Sequence, residues 1–344
     1  MATGSSEASV SALGRVGVLV RTPRGRIRLF FWTVLLVSAL LFAYYVGTAP
    51  GFFSPNNAIN MGQRTAPDII VAVGQTLVII SAGIDLSVGA VVALSGSVTS
   101  VAFCYWGVPV GPALLLGLLT GTVLGLINGL IITKGRIPDF IVTLGTMVTA
   151  RGLGLILTGG LPVPSHLTAL SLKAYLPAEI IWLGSGFVYG VPTGALIGLA
   201  SVVAGWVILN HTGLGRAFFA IGGNREAARV SGIAVDRTRV AAYVISGLLA
   251  AISGLVLVGR MNSANALMAD QAEMNSIASA VIGGTDLYGG AGSVTGSLFG
   301  SVIMGIVRNV LNLHGVRDFA QRVVTGLLII GVVLFDQLRR RFAT

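Results

Sequence analysis

The sequence predicts an all-α fold: a polytopic membrane protein of about ten transmembrane helices, with an internal repeat and two short half-helices. Three observations carry that expectation. Charged residues make up 10% of the 344, against roughly 25% in soluble chains, too few for a solvated skin. Hydrophobic residues make up 54%, which excludes disorder. The apolar residues fall in long runs, and a helix needs about 20 of them to cross a bilayer. The 48 glycines follow no Gly-X-Y period, so a collagen-like chain is also excluded.

Taken in order, residues 1–26 are polar and rich in Ser and Arg, and are expected to form a disordered cytoplasmic tail. A transmembrane domain over 27–338 follows. Its first span, 29–49, has Phe30, Phe31 and Trp32 at one end and Tyr44 and Tyr45 near the other, as interfacial anchors would lie. The run is longer than a signal-peptide core and reads as a retained span. Further apolar runs cover 67–82, 87–106, 110–133, 139–158, 191–209, 239–258, 275–284, 294–312 and 321–337. The runs at 67–82 and 275–284 are short and read as half-helices, a shape allowed only where protein or water shields the backbone. Residues 339–344 form a cytoplasmic C-terminal tail.

Lys and Arg set the orientation. With a cytoplasmic N-terminus and ten crossings, one side holds 15 of them, including five in the head, Arg216, Arg225, Arg229 and Arg237 in the connection 210–238, and Arg239 just after it. The other side holds five: Arg64, Lys173, Arg260, Arg317 and Arg322. Both termini are therefore expected inside. Arg151 and Arg308 fall within spans, either paired or snorkelling. The net charge of +10 sits in membrane flanks and reads as topology and contact with lipid, not as nucleic-acid binding. The outer connection 159–190 contains Pro162, Pro164 and Pro177.

Two segments share G-x-D-L-x-x-G: GIDLSVG at 83–89 and GTDLYGG at 284–290. Each follows a short apolar run and precedes a span rich in small residues, so the two halves read as a parallel repeat. Asp85 and Asp286 lie where an exposed carboxylate is costly. An Asp just before a helix answers the unpaired N–H groups there, as an N-cap. Gly83, Gly89, Gly284 and Gly290 allow tight reversal and close helix approach. Capping with packing outweighs a direct part in substrate passage, though both stay open. Glycines spaced by four, at Gly117, Gly121 and Gly125 and at Gly292, Gly296 and Gly300, read as packing within the chain before dimer contact.

The connection 210–238 holds a short predicted helix. Gly222 and Gly223 break the helix that leaves the membrane, and Asn224 is a good N-cap. Arg225 to Val230 then form a turn and a half, with Glu226 near the positive end. Arg225 and Arg229 share a face. Ala227, Val230 and Ile233 supply small apolar contacts, and Ser231-Gly232 ends the element. Such a helix suits docking into a groove on a soluble partner, or is a solvated connector.

Several chemistries are missing. Cys104 is the sole cysteine, and His166, His211 and His314 stand apart, so no metal-ligand spacing occurs. No G-x-x-x-x-G-K-[ST] is present, so no loop here cradles nucleotide phosphates. No nucleophile–base pair stands out, and an intramembrane enzyme is disfavoured.

GLGRAFFAIGGNREAARVSGI (213–233) resembles the cytoplasmic coupling region of bacterial sugar ABC-transporter permeases of the ribose, xylose and arabinose type. GIDLSVG, NGLIITKGRIPDFIVTLGTM (128–147) and AVIGGTDLYGGAGSVTGSLFG resemble that family too, and the likeness covers about 30–338. The resemblance implies a non-enzymatic permease in the bacterial inner membrane. Its partners would be a second permease chain, expected to be identical, a cytoplasmic ABC ATPase, and a periplasmic or lipid-anchored sugar-binding protein. ATP and Mg would be bound by the ATPase, leaving this chain without a cofactor. Carried over residue by residue, ATPase coupling falls on Gly222, Gly223, Asn224, Glu226, Ala227, Arg229, Ser231 and Gly232, with Ile233 as a contact. The rival readings are a stand-alone secondary transporter or facilitator, with Asp85 or Asp286 as ion sites, and a branched-chain amino-acid-type ABC permease. GGNREAARVSGI and GIDLSVG favour the sugar type.

Overall fold

The computed structural model describes residues 39–165 and 172–343. The expected tail 1–26, the first part of the span at 29–49, and His166 lie outside the described residues. Among those described, thirteen helices and one small hairpin follow in order. They are α1 (Ala39–Thr48), α2 (Pro55–Ile80), α3 (Val88–Cys104), α4 (Val110–Gly135), α5 (Asp139–Thr158) and α6 (Ala178–Ser185). Strands β1 (Phe187–Val188) and β2 (Val191–Pro192) pair antiparallel, and α7 (Thr193–His211), α8 (Gly213–Gly223) and α9 (Arg225–Val230) come next. The series ends with α10 (Val235–Met261), α11 (Ala272–Ile282), α12 (Val294–Leu313) and α13 (Asp318–Ala343). Five of the described helices, α4, α5, α7, α10 and α12, are long and apolar enough to cross a membrane.

The chain divides into two compact units. The smaller combines the described residues of Met1–Ser54 with Val310–Thr344. Within it the Tyr45 ring meets His314 edge-on, and His314 Nε2 lies 3.4 Å from the Thr48 hydroxyl. That histidine is occupied by local contacts.

The larger unit, Pro55–Asn309, is built around α10. The apolar stretch of α10 is 61% buried, against 22% for α5, so α10 is central and α5 peripheral. Its glycines bring other backbones into contact. A Cβ at Gly247 would strike the Gly121 carbonyl of α4, one at Gly254 the Val92 carbonyl of α3, and one at Gly259 the Ile180 carbonyl of α6. The Gly117, Gly121 and Gly125 row is thus used inside the chain, as are Gly296 and Gly300 of α12, which lie against Gly283 and Ser279.

Several expected boundaries move. The run at 67–82 is not a half-helix: α2 has 26 residues and begins at Pro55. Its first turns, PNNAINMGQRT, are too polar to extend the apolar run, yet a Pro at the first helical position suits a helix start. Pro67 lies inside it, and its carbonyl accepts the Ser253 hydroxyl at 3.0 Å. The connection 159–190 is not plain loop but contains α6 and the start of the hairpin. α13 runs on to Ala343, so 339–344 is largely helical. The helix expected to break at Gly222-Gly223 breaks earlier as well, at Thr212, which separates α7 from α8.

The short run at 275–284 forms the 11-residue α11. Before it, residues 262–271 turn back from the end of α10 without regular structure. The carbonyls of that stretch need partners. Arg151 on α5 supplies them, donating to Ala266 O (2.9 Å), Met268 O (2.7 Å) and Ala269 O (3.4 Å).

Candidate functional site

The segment α8–α9 is held by residues whose local preferences suit their positions. The Thr212 hydroxyl caps α8 by accepting the Gly215 N–H at 3.2 Å. Asn224 is extended and its Oδ1 accepts the Ala227 N–H at 2.9 Å, capping α9. At the other end Gly232 adopts φ +83, which costs glycine little. Its N–H reaches Arg229 O at 3.0 Å, and the Ile233 N–H reaches Ala228 O at 3.1 Å. That pair of bonds is a Schellman closure. The Ser231 hydroxyl adds a bond to Ala227 O at 2.8 Å.

The apolar anchor of α9 is Ala228, which packs with Ile221 and Val235 while Ile233 leans on them. The expected contacts Ala227 and Val230 point the other way: Ala227 is exposed and Val230 is 87% exposed. A six-residue helix offers one inward position per turn, and Ala228 takes it. The charges on α9 are engaged laterally, Arg229 with Glu226 and Arg225 with Asp236, each at 3.7 Å. Both pairs are exposed and stabilise little. A polar groove of about 490 Å³ opens beside them, lined by Arg136, Asp139, Arg225, Glu226, Arg229 and Arg239 among others.

Gly222 and Gly223 look alike in sequence and differ in place. A Cβ on Gly222 would run into the Ile80 carbonyl at the end of α2 and the backbone of Gly290, whereas Gly223 has open space. The Gly290 N–H donates to Ile80 O at 2.9 Å. A Cβ on Gly289 would lie 2.9 Å from Ala82. Three segments therefore meet backbone to backbone: the end of α8, the end of α2, and the loop carrying the second G-x-D-L motif.

The first motif lies in the loop between α2 and α3. Asp85 is 2% exposed, and its carboxylate is fully served. Oδ1 accepts the Ser87 N–H (2.9 Å) and hydroxyl (2.6 Å), and Oδ2 accepts the Ser246 hydroxyl (3.1 Å). Asn128 Nδ2 donates to Ser87 Oγ at 3.0 Å, and the Thr146 hydroxyl donates to Asn128 Oδ1 at 2.6 Å. This buried relay ties α4, α5 and α10 to the loop. Gly83 leaves room beside it for Tyr243 and Asp139, which bond at 2.7 Å, while Arg239 pairs with the same Asp139 carboxylate. Gly89, in the first turn of α3, faces Glu273 and the Ala269 carbonyl.

Neither aspartate is the helix cap expected of it. The position before α3 belongs to Ser87, and the first turn of α12 is capped by Ser293, whose hydroxyl accepts the Gly296 N–H at 2.8 Å. Asp286 instead accepts the Tyr288 N–H at 2.9 Å, the same two-residue reach as from Asp85 to Ser87. Gly284 lies in the left-handed region, just after α11. Asp takes such local turns readily, which competes with capping.

A second site, not anticipated from the sequence, lies toward the opposite ends of α2 and α10. A cavity of about 260 Å³ is bounded by α2, α3, the C-terminal part of α10, the irregular stretch before α11, and α12. Asp68 and Arg308 pair there at 3.0 Å, and the Asn57 and Asn309 amides exchange bonds of 3.0 and 2.9 Å. Both span arginines thus have a structural account: Arg308 is paired and Arg151 serves carbonyls. The available signal was the presence of opposite charges in two apolar runs, which seldom stay unpaired. Among the described residues, no three His, Cys, Asp or Glu group as a metal site would.

The chain is similar to known proteins over nearly its whole length. Residues 57–333 match the family described as branched-chain amino acid transport system / permease component. The ribose import permease protein RbsC of Escherichia coli (strain K12) is 38% identical, over 89% of this chain and 93% of that one. RbsC of Bacillus subtilis (strain 168) is 41% identical, over 84% and 87%. The xylose transport system permease protein XylH of Escherichia coli (strain K12) is 32% identical, over 92% and 93%. No solved structure matches the chain. Apolar spanning helices, a capped helix displayed at one end, and full-length likeness to transport permeases agree: the chain belongs to this permease family and is a transmembrane permease subunit of an ABC importer.

Proposed function

We propose that this permease forms the pathway for a monosaccharide or related polyol, with α9 as its docking element for a cytoplasmic ABC ATPase. The 15-to-5 distribution of Lys and Arg supports placing α9, and both termini, on the cytoplasmic side of the bacterial inner membrane. The named relatives, import permeases for ribose and xylose, support a sugar over the amino acids of the family description. A second, identical permease chain completes the pathway, and a binding protein delivers the sugar to the outer connection 159–190. ATP and Mg belong to the ATPase.

The observation that carries the docking role is the display of Val230 on a helix that cannot slide. Val230 is 87% exposed, while Asn224, Gly232 and Ala228 fix α9 at both ends and beneath. Force applied to α9 passes through the short α8 to Gly222, and from there to α2 and the loop before α12. ATP-driven closure of the ATPase pair would thus tilt the bundle between outward- and inward-open forms.

The test is co-purification from native membranes in mild detergent. The wild type should retain a soluble P-loop ATPase. Val230→Asp should lose it at equal permease yield, as should the paired exchange Glu226→Arg with Arg229→Glu, which preserves their mutual attraction but inverts the face. Retention by both variants would overturn the docking role.

A further inference from the structure

We infer that the cavity beside α11 binds a neutral polyhydroxylated solute within a single permease protomer. This rests on the importer reading, and names a site for its substrate.

The wall chemistry specifies the solute. Two guanidinium groups, Arg64 and Arg308, and two carboxylates, Asp68 and Asp270, border the cavity, so its lining carries no net charge. Asp68 and Arg308 already answer each other at 3.0 Å. A solute carrying its own charge would have to separate them. A neutral polyol keeps the pair and adds hydroxyls to spare lone pairs and N–H groups. Val71, Val92 and Leu257 give one apolar side, suited to the C–H face of a sugar ring. The volume of about 260 Å³ far exceeds the roughly 10–15 Å³ that one water requires.

Asn275 points to a ligand independently. It lines the cavity from the first turn of α11, is 8% exposed, and its Oδ1 has no hydrogen-bond partner. A buried amide oxygen left in that state is unfavourable unless something fills the space. The same wall is where the fold departs from regular helix. Residues 262–271 are irregular, and no side chain caps α11, whose N-cap position is Gln271 at φ +64. Irregular backbone at membrane depth is tolerated where it lines a water-filled cavity, and interrupted helices are where transporters seat polar substrates. The exposed rim residues Arg64, Met261 and Asp270 open the cavity toward the end away from α9, the side from which a binding protein would deliver.

The buried Cys104 makes a direct test practical. In the complete complex in vesicles, with ATPase and binding protein, Asn275→Cys in a Cys104→Ala background should react with a small water-soluble methanethiosulfonate added outside. D-Ribose is the probe: at saturation it should slow that reaction at least tenfold. Asn275→Leu should cut D-ribose uptake at least tenfold at equal permease yield and equal ATPase retention, and Asn275→Ser should recover most of the uptake. A wild-type complex that takes up no D-ribose would fault the ribose-type importer reading. Uptake by the wild type together with an unreactive thiol, a reactive thiol that ribose leaves unprotected, or full uptake by Asn275→Leu would overturn the site.

Discussion

Replacing Gly222 with Ala tests whether the glycine junction transmits force. An added Cβ collides with the Ile80 carbonyl and with Gly290, both backbone, so no side chain can rotate aside. Overpacking of this kind costs about 1–3 kcal/mol. Parting the two segments also breaks the 2.9 Å bond from the Gly290 N–H to Ile80 O, a net loss of about 1 kcal/mol. Against this stands a gain of roughly 0.5–1 kcal/mol from replacing a helical glycine by alanine. The balance is about 2 kcal/mol against the closed junction, or roughly thirtyfold in its population. Gly223→Ala adds a Cβ to open space and serves as the matched control. The assay is sugar uptake and ATP hydrolysis by the complex reconstituted in vesicles. Gly222→Ala should keep its ATPase, because the outward surface of α9 is untouched, and should lose uptake at least tenfold. Gly223→Ala should stay within twofold of the wild type. Equal uptake by all three would refute the junction as the route of coupling.

Three further outcomes are expected. Asn224→Ala removes the cap of α9 at a cost of about 0.5–2 kcal/mol, and should weaken ATPase retention in a pull-down without lowering permease yield. Arg151→Met leaves three carbonyls of the stretch before α11 without their donor, each worth about 1–3 kcal/mol, and should lower the unfolding temperature in detergent by several degrees. Asp85→Asn keeps an oxygen for Ser87 and offers an N–H to the rotatable Ser246 hydroxyl, so uptake should remain within a few-fold; abolition of uptake at equal permease yield would show that the relay needs the charge of the carboxylate.

The legible parts of this chain were those governed by neighbouring residues. α9 could be bounded from the sequence because Asn224 and Gly232 act on backbone groups two to four positions away. The start of α2 was hidden because polar residues continue a helix without continuing an apolar run. The inward role of Ala228, rather than Ala227, depends on the direction in which the chain leaves Asn224, which composition does not encode. The cavity was out of reach for another reason: Asp68 and Arg308 are partners across 240 positions. Two adjacent glycines with opposite tolerances make the same point, since only the approach of Ile80 and Gly290 distinguishes Gly222 from Gly223.

The burial of α10 bears on how such a permease can be re-engineered. Its glycines press against α3, α4 and α6 at three levels, and Ser246 adds a bond to Asp85. A side chain enlarged at any of these positions disturbs several neighbours together. Libraries aimed at a new solute should therefore leave this one helix unvaried and place their diversity on α2, α11 and α12. Only side chains that face the cavity there, such as Arg64, Asp68 and Asn275, are open to change, whereas Gly296, Gly300 and Gly305 press on their neighbours and stay fixed.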